Sequence, residues 1–203
     1  QTLSPPLQLS KGLITEITEA RATVRVRVDG VEATGRGSIY LSDLWAWPEP
    51  SLSHEQRDAV LRDLTRHLAG ALPRAAGGAA HPLELGLRLY ESLAHHAPGG
   101  FEQVSILARA MCLSPFDAAI HDAVGKALRR SAFDFYASPV PIPSADALFP
   151  GRGAAAAIQQ MLRRPPQMAF PAGLIVGKND DLEKVMANWA GQRGYHCFKI
   201  KIG

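Results

Sequence analysis

The sequence has few cysteines and no long hydrophobic run. Its two cysteines, Cys112 and Cys197, lie far apart in the 203-residue chain, so neither a disulfide framework nor a zinc site is indicated. This cysteine usage fits a reducing compartment, and we expect a cytoplasmic protein. No apolar run approaches the ~20 residues of a membrane span, and no charged-then-apolar signal segment opens the chain. A membrane protein is therefore not expected.

The chain also lacks a concentrated charge of one sign. It has 22 Lys and Arg against 19 Asp and Glu, a formal charge of +3, and the arginines are scattered rather than arranged in a stripe. Nucleic acid is therefore not an expected partner. Hydrophobic residues make up 46% of the chain, which is ample for a packed core and excludes disorder. Because the chain begins at Gln1 without a Met and stops at Gly203 directly after a strand pattern, we expect a fragment of a longer protein.

The first 40 residues predict an antiparallel hairpin. Apolar residues alternate with polar ones from Ala22 to Val28, as a half-buried strand requires. Asp29-Gly30 then provides a tight turn, and Val31 to Tyr40 returns as the partner strand. Gly35 and Gly37 in the returning strand, like Gly12 before the hairpin, indicate a bulge, a turn or a close backbone approach.

Four helices are predicted to follow the hairpin. The first begins with a capping box at Ser53 and Gln56, and a linker over 69–80 separates it from a second helix that starts at Pro82. A third helix is expected from Glu102 to Met111, and a fourth from Ser114-Pro115 onward. A sheet followed by helices predicts an α+β domain over residues 1–138.

The pattern changes near Pro139, where a Pro-rich stretch indicates an extended linker. A short helix from Gly153 to Arg164 is followed by an apolar strand pattern, Met168 to Gly177. A capping box at Asp180 and Glu183 opens a further helix, which is expected to bury Leu182, Val185, Met186 and Trp189. The final strand begins at His196, so residues 139–203 are predicted to contain a βαβ unit with parallel strands.

Two lysines share one face of the final strand. By alternation, Phe198, Ile200 and Ile202 point to one side, and Lys199 and Lys201 point to the other. The lysines lie near the carboxyl end of a predicted parallel strand, where α/β proteins bind ligands. Two ammonium groups about 6–7 Å apart in a cleft disfavour each other's charged form, so one can serve as a general base. The alternative is an edge strand, whose lysines discourage aggregation.

Three segments resemble the enolase superfamily, specifically its mandelate racemase and muconate lactonizing enzyme branch. Pro6 to Gly12, with the hairpin to Gly37, is similar to the mobile lid and the sheet of that family's capping domain. Phe116 to Lys126 is similar to the helix that closes the capping domain, although His121 stands where many members carry Trp. Gly194 to Gly203 is similar to the second strand of the barrel, with its Lys-x-Lys motif. The resemblance implies an α+β capping domain followed by the start of an α/β (TIM-like) barrel.

The resemblance also implies an activity and a site. Lys201 would remove the proton α to a substrate carboxylate, and Lys199 would make Lys201 easier to deprotonate. Gly12, Trp45 and Trp47 are candidate substrate-binding residues, although Trp residues in a loop after a sheet more often pack on the domain. Mg²⁺ would stabilise the enediolate, and its ligands are expected beyond residue 203. The expected enzyme is a racemase or epimerase, a cycloisomerase or a dehydratase that acts on a small carboxylate, and a homo-oligomer is expected.

Two other functions stay open. One is a non-catalytic interaction module whose last strand is an exposed edge, and the other is a barrel enzyme in which a strand lysine forms a Schiff base.

Several histidines show no ligand spacing with carboxylates, and we interpret them as surface or helix residues; they are His54, His67, His95, His96 and His121. Asp122 and Lys126, four residues apart, are interpreted as a helix-stabilising pair.

Overall fold

The structure is a computed structural model that describes residues 1–9, 12–137, 143–161, 171–177 and 180–200. The expected extended linker after Pro139 falls largely outside these residues. The strands are β1 (Thr2–Leu9), β2 (Gly12–Glu16), β3 (Glu19–Val28), β4 (Val31–Tyr40), β5 (Gly173–Val176) and β6 (Cys197–Ile200). The helices are α1 (Asp43–Ala46), α2 (His54–Ala76), α3 (Pro82–Leu89), α4 (Ile106–Leu128), α5 (Ala132–Ala137), α6 (Pro143–Leu148), α7 (Ala154–Met161) and α8 (Leu182–Val185). Two π-helical turns continue α3 and α8, over Tyr90–His95 and Met186–Gly191.

The predicted hairpin is confirmed. β3 and β4 pair antiparallel without a bulge, from Glu19 opposite Tyr40 to Val28 opposite Val31. Asp29 and Gly30 both have positive φ, 48° and 82°, as a two-residue turn between twisted strands requires. β1 and β2 form a second antiparallel hairpin.

Helix α4 packs across the β3–β4 hairpin, and the glycines of β4 permit its close approach. A Cβ atom at Gly35 would lie 2.0 Å from the Ala119 carbonyl oxygen, and one at Gly37 would lie 2.1 Å from the Pro115 carbonyl oxygen. Of the three expected explanations for Gly35 and Gly37, a bulge, a turn or a close backbone approach, the structure shows the close approach. The Asp122 carboxylate adds a polar link, since it accepts hydrogen bonds from the Arg36 backbone N–H at 2.8 Å and from Lys126 Nζ at 2.6 Å.

The predicted separation of a third and a fourth helix at Ser114-Pro115 is wrong. Helix α4 begins at Ile106, four residues after the expected start, and continues through Pro115 to Leu128. A proline has no N–H to donate to the carbonyl four residues earlier. The Ser114 hydroxyl donates instead to the Met111 carbonyl at 2.8 Å, so that acceptor keeps a partner and the helix continues.

The predicted linker over 69–80 is also wrong for residues 69–76, which belong to α2. The predicted start of α2 is confirmed. The Ser53 side chain accepts a hydrogen bond from the Gln56 N–H, and the Gln56 side chain accepts one from the Ser53 N–H. The residues of α2 that face α4 are fully buried, and the core formed there includes Leu61, Leu64, Leu68, Leu89, Ala108, Cys112, Ala119 and Ile120.

β5 and β6 pair in parallel, as predicted, with Gly173 opposite Cys197 and Val176 opposite Ile200. Within the described residues these strands form a two-stranded sheet, and a closed barrel stays a prediction. The expected burial of the following helix is partly wrong, because Leu182 is 57% exposed and Met186 is 46% exposed. A two-stranded sheet is too narrow to cover the apolar face of a helix.

Candidate functional site

The parallel strands β5 and β6 position the first of the predicted catalytic residues. Lys199 lies opposite Ile175, so both side chains belong to the same face of the sheet. Lys199 is exposed, and Ile175 beside it is 56% exposed. On the opposite face, Val176 is 5% exposed and its partner Ile200 is 63% exposed. Lys199 therefore lies one residue from the end of β6, with its side chain open to solvent.

Lys201 lies outside the described residues, and its role as a base stays a prediction. The alternation that places it on the same face as Lys199 comes from the sequence alone. Within the described part of the chain, Lys199 forms no ion pair.

Two carboxylates follow β5 at its carboxyl end, and both bind backbone N–H groups. Asp180 accepts from the Gly177 N–H at 2.7 Å. Asp181, not Asp180, caps α8, and its side chain accepts from the Lys184 N–H at 3.1 Å. The hydrogen bond from the Lys184 backbone and the Lys184 side chain lower the pKa of Asp181. These two carboxylates thus hold the turn from strand to helix.

The predicted substrate-binding residues lie in different environments. Gly12 opens β2, and a Cβ atom there would be 3.4 Å from Leu44 Cδ1, so this end of the β1–β2 hairpin lies against α1. Trp45, the next residue of α1, is 60% exposed, whereas Trp47 is 4% exposed and belongs to the core. The structure thus brings Gly12 close to the helix that carries Trp45. Lys199 belongs to the separate sheet of β5 and β6, and no described contact joins it to these residues.

A buried polar cluster beside the Trp residues was not anticipated from the sequence. The Arg57 Nε donates to the Asp43 carboxylate at 2.8 Å, and His54 Nδ1 lies 3.1 Å from the same carboxylate. The Arg57 guanidinium also donates to the backbone carbonyls of Glu49 and Leu52. Asp43 and Arg57 are almost completely buried, so the cluster holds α1 and the following loop on α2. Fourteen residues separate the pair in sequence, and no local periodicity indicates such a contact.

An apolar cavity of about 600 Å³ lies between α3, α4, α6 and α7. Four polar side chains border it, those of Tyr90, Ser114, Asp117 and His121. His121 Nδ1 lies 3.6 Å from an Asp117 carboxylate oxygen. Partial burial raises the pKa of Asp117, and His121 opposes that rise. Apolar residues line most of the cavity, among them Leu83, Leu87, Leu113, Phe149 and Ile158.

The interpretation of the histidines as surface or helix residues is confirmed, because all five are exposed or half-buried: His54, His67, His95, His96 and His121. Two of them nevertheless have a spacing to a carboxylate that the sequence analysis missed. Asp117 and His121, like Glu91 and His95, are four residues apart on a helix, and in each pair Nδ1 lies 3.6 Å from a carboxylate oxygen. This spacing is readable in the sequence, because residues four apart share a helix face.

The described residues do not fit the Mg²⁺ site that the enolase resemblance implies. Among them, one group of three candidate metal ligands has its ligand atoms within 4.8 Å of one another: Glu91, His95 and His96. Mg²⁺ prefers oxygen ligands, and two of these three side chains offer imidazole nitrogen instead. The magnesium site therefore stays a prediction.

Comparison of the chain with protein-family models, with curated proteins and with solved structures finds no match. The resemblance to the enolase superfamily rests on the three sequence motifs described above. A separate observation concerns membranes: no described helix has both the length and the apolar character needed to cross one.

Proposed function

We propose that the chain is the N-terminal part of an enzyme of the mandelate racemase and muconate lactonizing enzyme branch of the enolase superfamily. Residues 1–138 form its capping domain, and residues 139–203 form the first βαβ unit of its barrel. The enzyme removes the proton α to the carboxylate of a small-molecule substrate. Racemisation, epimerisation, cycloisomerisation or dehydration then follows from the fate of the resulting anion.

The observation that carries this proposal is the parallel pairing of β5 with β6. Parallel neighbours have their carboxyl ends at the same edge of a sheet, and ligand sites of α/β proteins lie at that edge. Lys199 is one residue from the end of β6, with its side chain exposed. The sequence places Lys201 two residues further along, on the same face by alternation.

The exposed apolar residues of this unit support the barrel. Three apolar residues of this unit are more than half exposed: Ile200 at 63%, Leu182 at 57% and Ile175 at 56%. Apolar residues on both faces of a parallel sheet are typical of folds in which helices cover one side and barrel packing fills the other. Further strands and helices would cover these residues.

In the proposed mechanism, Lys201 takes the α-proton as a neutral amine. Its positive neighbour Lys199 disfavours the charged form of Lys201 and so makes the neutral amine available near neutral pH. The β1–β2 hairpin covers the substrate as a lid, with Gly12 at its edge and the exposed Trp45 nearby. Mg²⁺ would supply charge stabilisation for the carboxylate of the intermediate, with ligands from beyond residue 203.

The test is the exchange of the substrate α-proton for deuterium, followed by NMR with the intact gene product, Mg²⁺ and a panel of 2-hydroxy and 2-amino carboxylates. We expect exchange with at least one carboxylate, and its abolition by Lys201→Ala. Lys199→Met should instead move the rise in rate to higher pH, because the positive neighbour of the base is removed. Lys184→Ala is the matched control, since this exposed lysine pairs with Asp181 on α8.

Full exchange in the Lys201→Ala protein would contradict the assignment of the base. Borohydride trapping of a carbonyl compound on Lys199 or Lys201 would instead support the Schiff-base alternative. Absence of exchange with every carboxylate in the panel would favour the interaction module.

A further inference from the structure

Three side chains with metal-binding atoms meet at the end of α3. Glu91 and His95 belong to the π-helical turn Tyr90–His95, and His96 follows directly after it. All three are exposed, and their ligand atoms lie within 4.8 Å of one another. The cluster is independent of the lysine site proposed above.

The backbone at the end of the π-helical turn explains why these three residues lie close together. In an α-helix a residue five positions along is rotated by about 140° from the first, so His96 would point away from Glu91. The wider π turn pairs residues i and i+5. His96 leaves the helix with extended backbone angles, and its Nδ1 lies 2.6 Å from the Glu91 carbonyl oxygen.

This contact fixes the tautomer of His96. A carbonyl oxygen can only accept a hydrogen bond, so in the neutral ring Nδ1 carries the hydrogen and Nε2 has the lone pair that a metal ion needs. Metal-binding histidines commonly hold their other ring nitrogen in this way, on a backbone carbonyl or a carboxylate. The His96 ring also lies edge-on to the His95 ring, with 5.0 Å between the ring centroids.

The spacing of the other two ligands suits a small dication. His95 Nδ1 lies 3.6 Å from Glu91 Oε2, too far for a hydrogen bond. Two ligand atoms on a tetrahedral zinc ion, each about 2.0 Å from the metal, are about 3.3 Å apart. A small rotation of either side chain would therefore bring both atoms into coordination distance.

The backbone beneath the cluster is anchored. Leu93 and Ala94 are buried in the core. The buried Arg109 donates to the Ala94 carbonyl at 2.7 Å and to the His95 carbonyl at 3.2 Å. The ligands are thus carried by a turn that is held in place from the core side.

We propose that Glu91, His95 and His96 form a surface site for a transition-metal dication of the Zn²⁺ type, with water in the remaining coordination positions. Imidazole nitrogen suits zinc and its neighbours in the transition series, whereas Mg²⁺ prefers oxygen. Binding joins the end of the π turn to the residue that follows it, so the ion stabilises the folded chain.

Calorimetric titration of the purified chain with zinc chloride tests the site. We expect one equivalent of Zn²⁺ to bind with a Kd below about 100 µM, no comparable binding of Mg²⁺, and a higher Tm with zinc. Glu91→Gln, His95→Ala and His96→Ala should each weaken zinc binding about tenfold or more. All three residues are exposed, so circular dichroism should show that the variants fold.

The matched control is His196→Ala. His196 is also exposed and also has Nδ1 on a backbone carbonyl, that of Gly194 at 2.9 Å, yet it belongs to no described group of three ligands. Its replacement should leave zinc affinity unchanged. The proposal is overturned by zinc binding that survives all three ligand variants, by a loss of binding in the control, by equal Mg²⁺ affinity, or by no zinc binding at about 100 µM.

Discussion

The backbone of Gly35 lies against that of Ala119, so closely that a Cβ atom on residue 35 would be 2.0 Å from the Ala119 carbonyl oxygen. Atoms of two backbones cannot separate without moving the hairpin from α4. Gly35→Ala should therefore lower the free energy of unfolding by about 3 kcal/mol or more, measured by urea denaturation.

Gly70→Ala is the matched control for this substitution. Gly70 lies within α2, and a Cβ atom there would have no neighbour within 4 Å. Because alanine favours a helix over glycine, this variant should gain roughly 0.5–1 kcal/mol. Equal stability of the two variants would contradict the close packing of β4 on α4.

The buried ion pair of Asp43 and Arg57 leads to a second prediction. Asp43 is only 1% exposed, and Arg57→Met leaves its buried carboxylate without the guanidinium that pairs with it. The expected loss in the free energy of unfolding is about 3–5 kcal/mol by thermal or urea denaturation. Arg66→Met breaks an ion pair with Asp63 whose side chains are more than 60% exposed, and should change stability by less than about 1 kcal/mol. Similar losses in both variants would argue against burial as the cause.

The two cysteines should differ sharply in reactivity. Burial raises the pKa of the Cys112 thiol to about 11, and its Sγ lies 3.6 Å from the Leu61 carbonyl oxygen. The reactive thiolate is therefore scarce at pH 8 and enclosed by the core. We expect a thiol reagent to modify Cys197 alone in the folded chain and both cysteines in denaturant. Modification of the folded Cys197→Ser variant would contradict this expectation.

The partly buried Asp117 predicts a change of stability with pH. Burial raises its pKa in the folded chain above the ordinary value of 3.8, so the folded chain binds the proton more readily than the unfolded chain. The contribution of Asp117 to stability is therefore present at low pH and is lost as the pH rises from about 4 through the raised pKa. Asp117→Asn should gain stability relative to the unaltered chain over this range, as measured by urea denaturation at a series of pH values.

Asp122→Asn is the comparison variant, for which we expect the opposite pH dependence of stability. The hydrogen bond from Lys126, with that from the Arg36 N–H, lowers the pKa of Asp122. The contribution of Asp122 to stability is present above pH 3.8, the ordinary pKa of this side chain, and is lost as the pH falls through the lowered pKa. This variant should be less stable than the unaltered chain near neutral pH, and the difference should vanish in acid. The same sign of pH dependence for both substitutions would refute these assignments.

Local patterns in the sequence determined much of the secondary structure. Alternation and Asp29-Gly30 predict the β3–β4 hairpin, and the Ser53 capping box predicts the start of α2. The strand, helix and strand patterns from Met168 onward predict the parallel pair. Each of these features depends on residues that are close in sequence, so the physical cause is readable there.

Tertiary contacts decided the rest. Pro115 lies inside α4, and this helix packs along its length against the glycines of β4. The Asp43–Arg57 pair joins residues whose burial depends on how α1 folds back on α2. The cluster of Glu91, His95 and His96 depends on a π turn that no local pattern indicated, even though the Glu91–His95 spacing is visible in the sequence. Propensity acts over a few residues, whereas burial and close backbone contact depend on elements that meet only when the chain has folded.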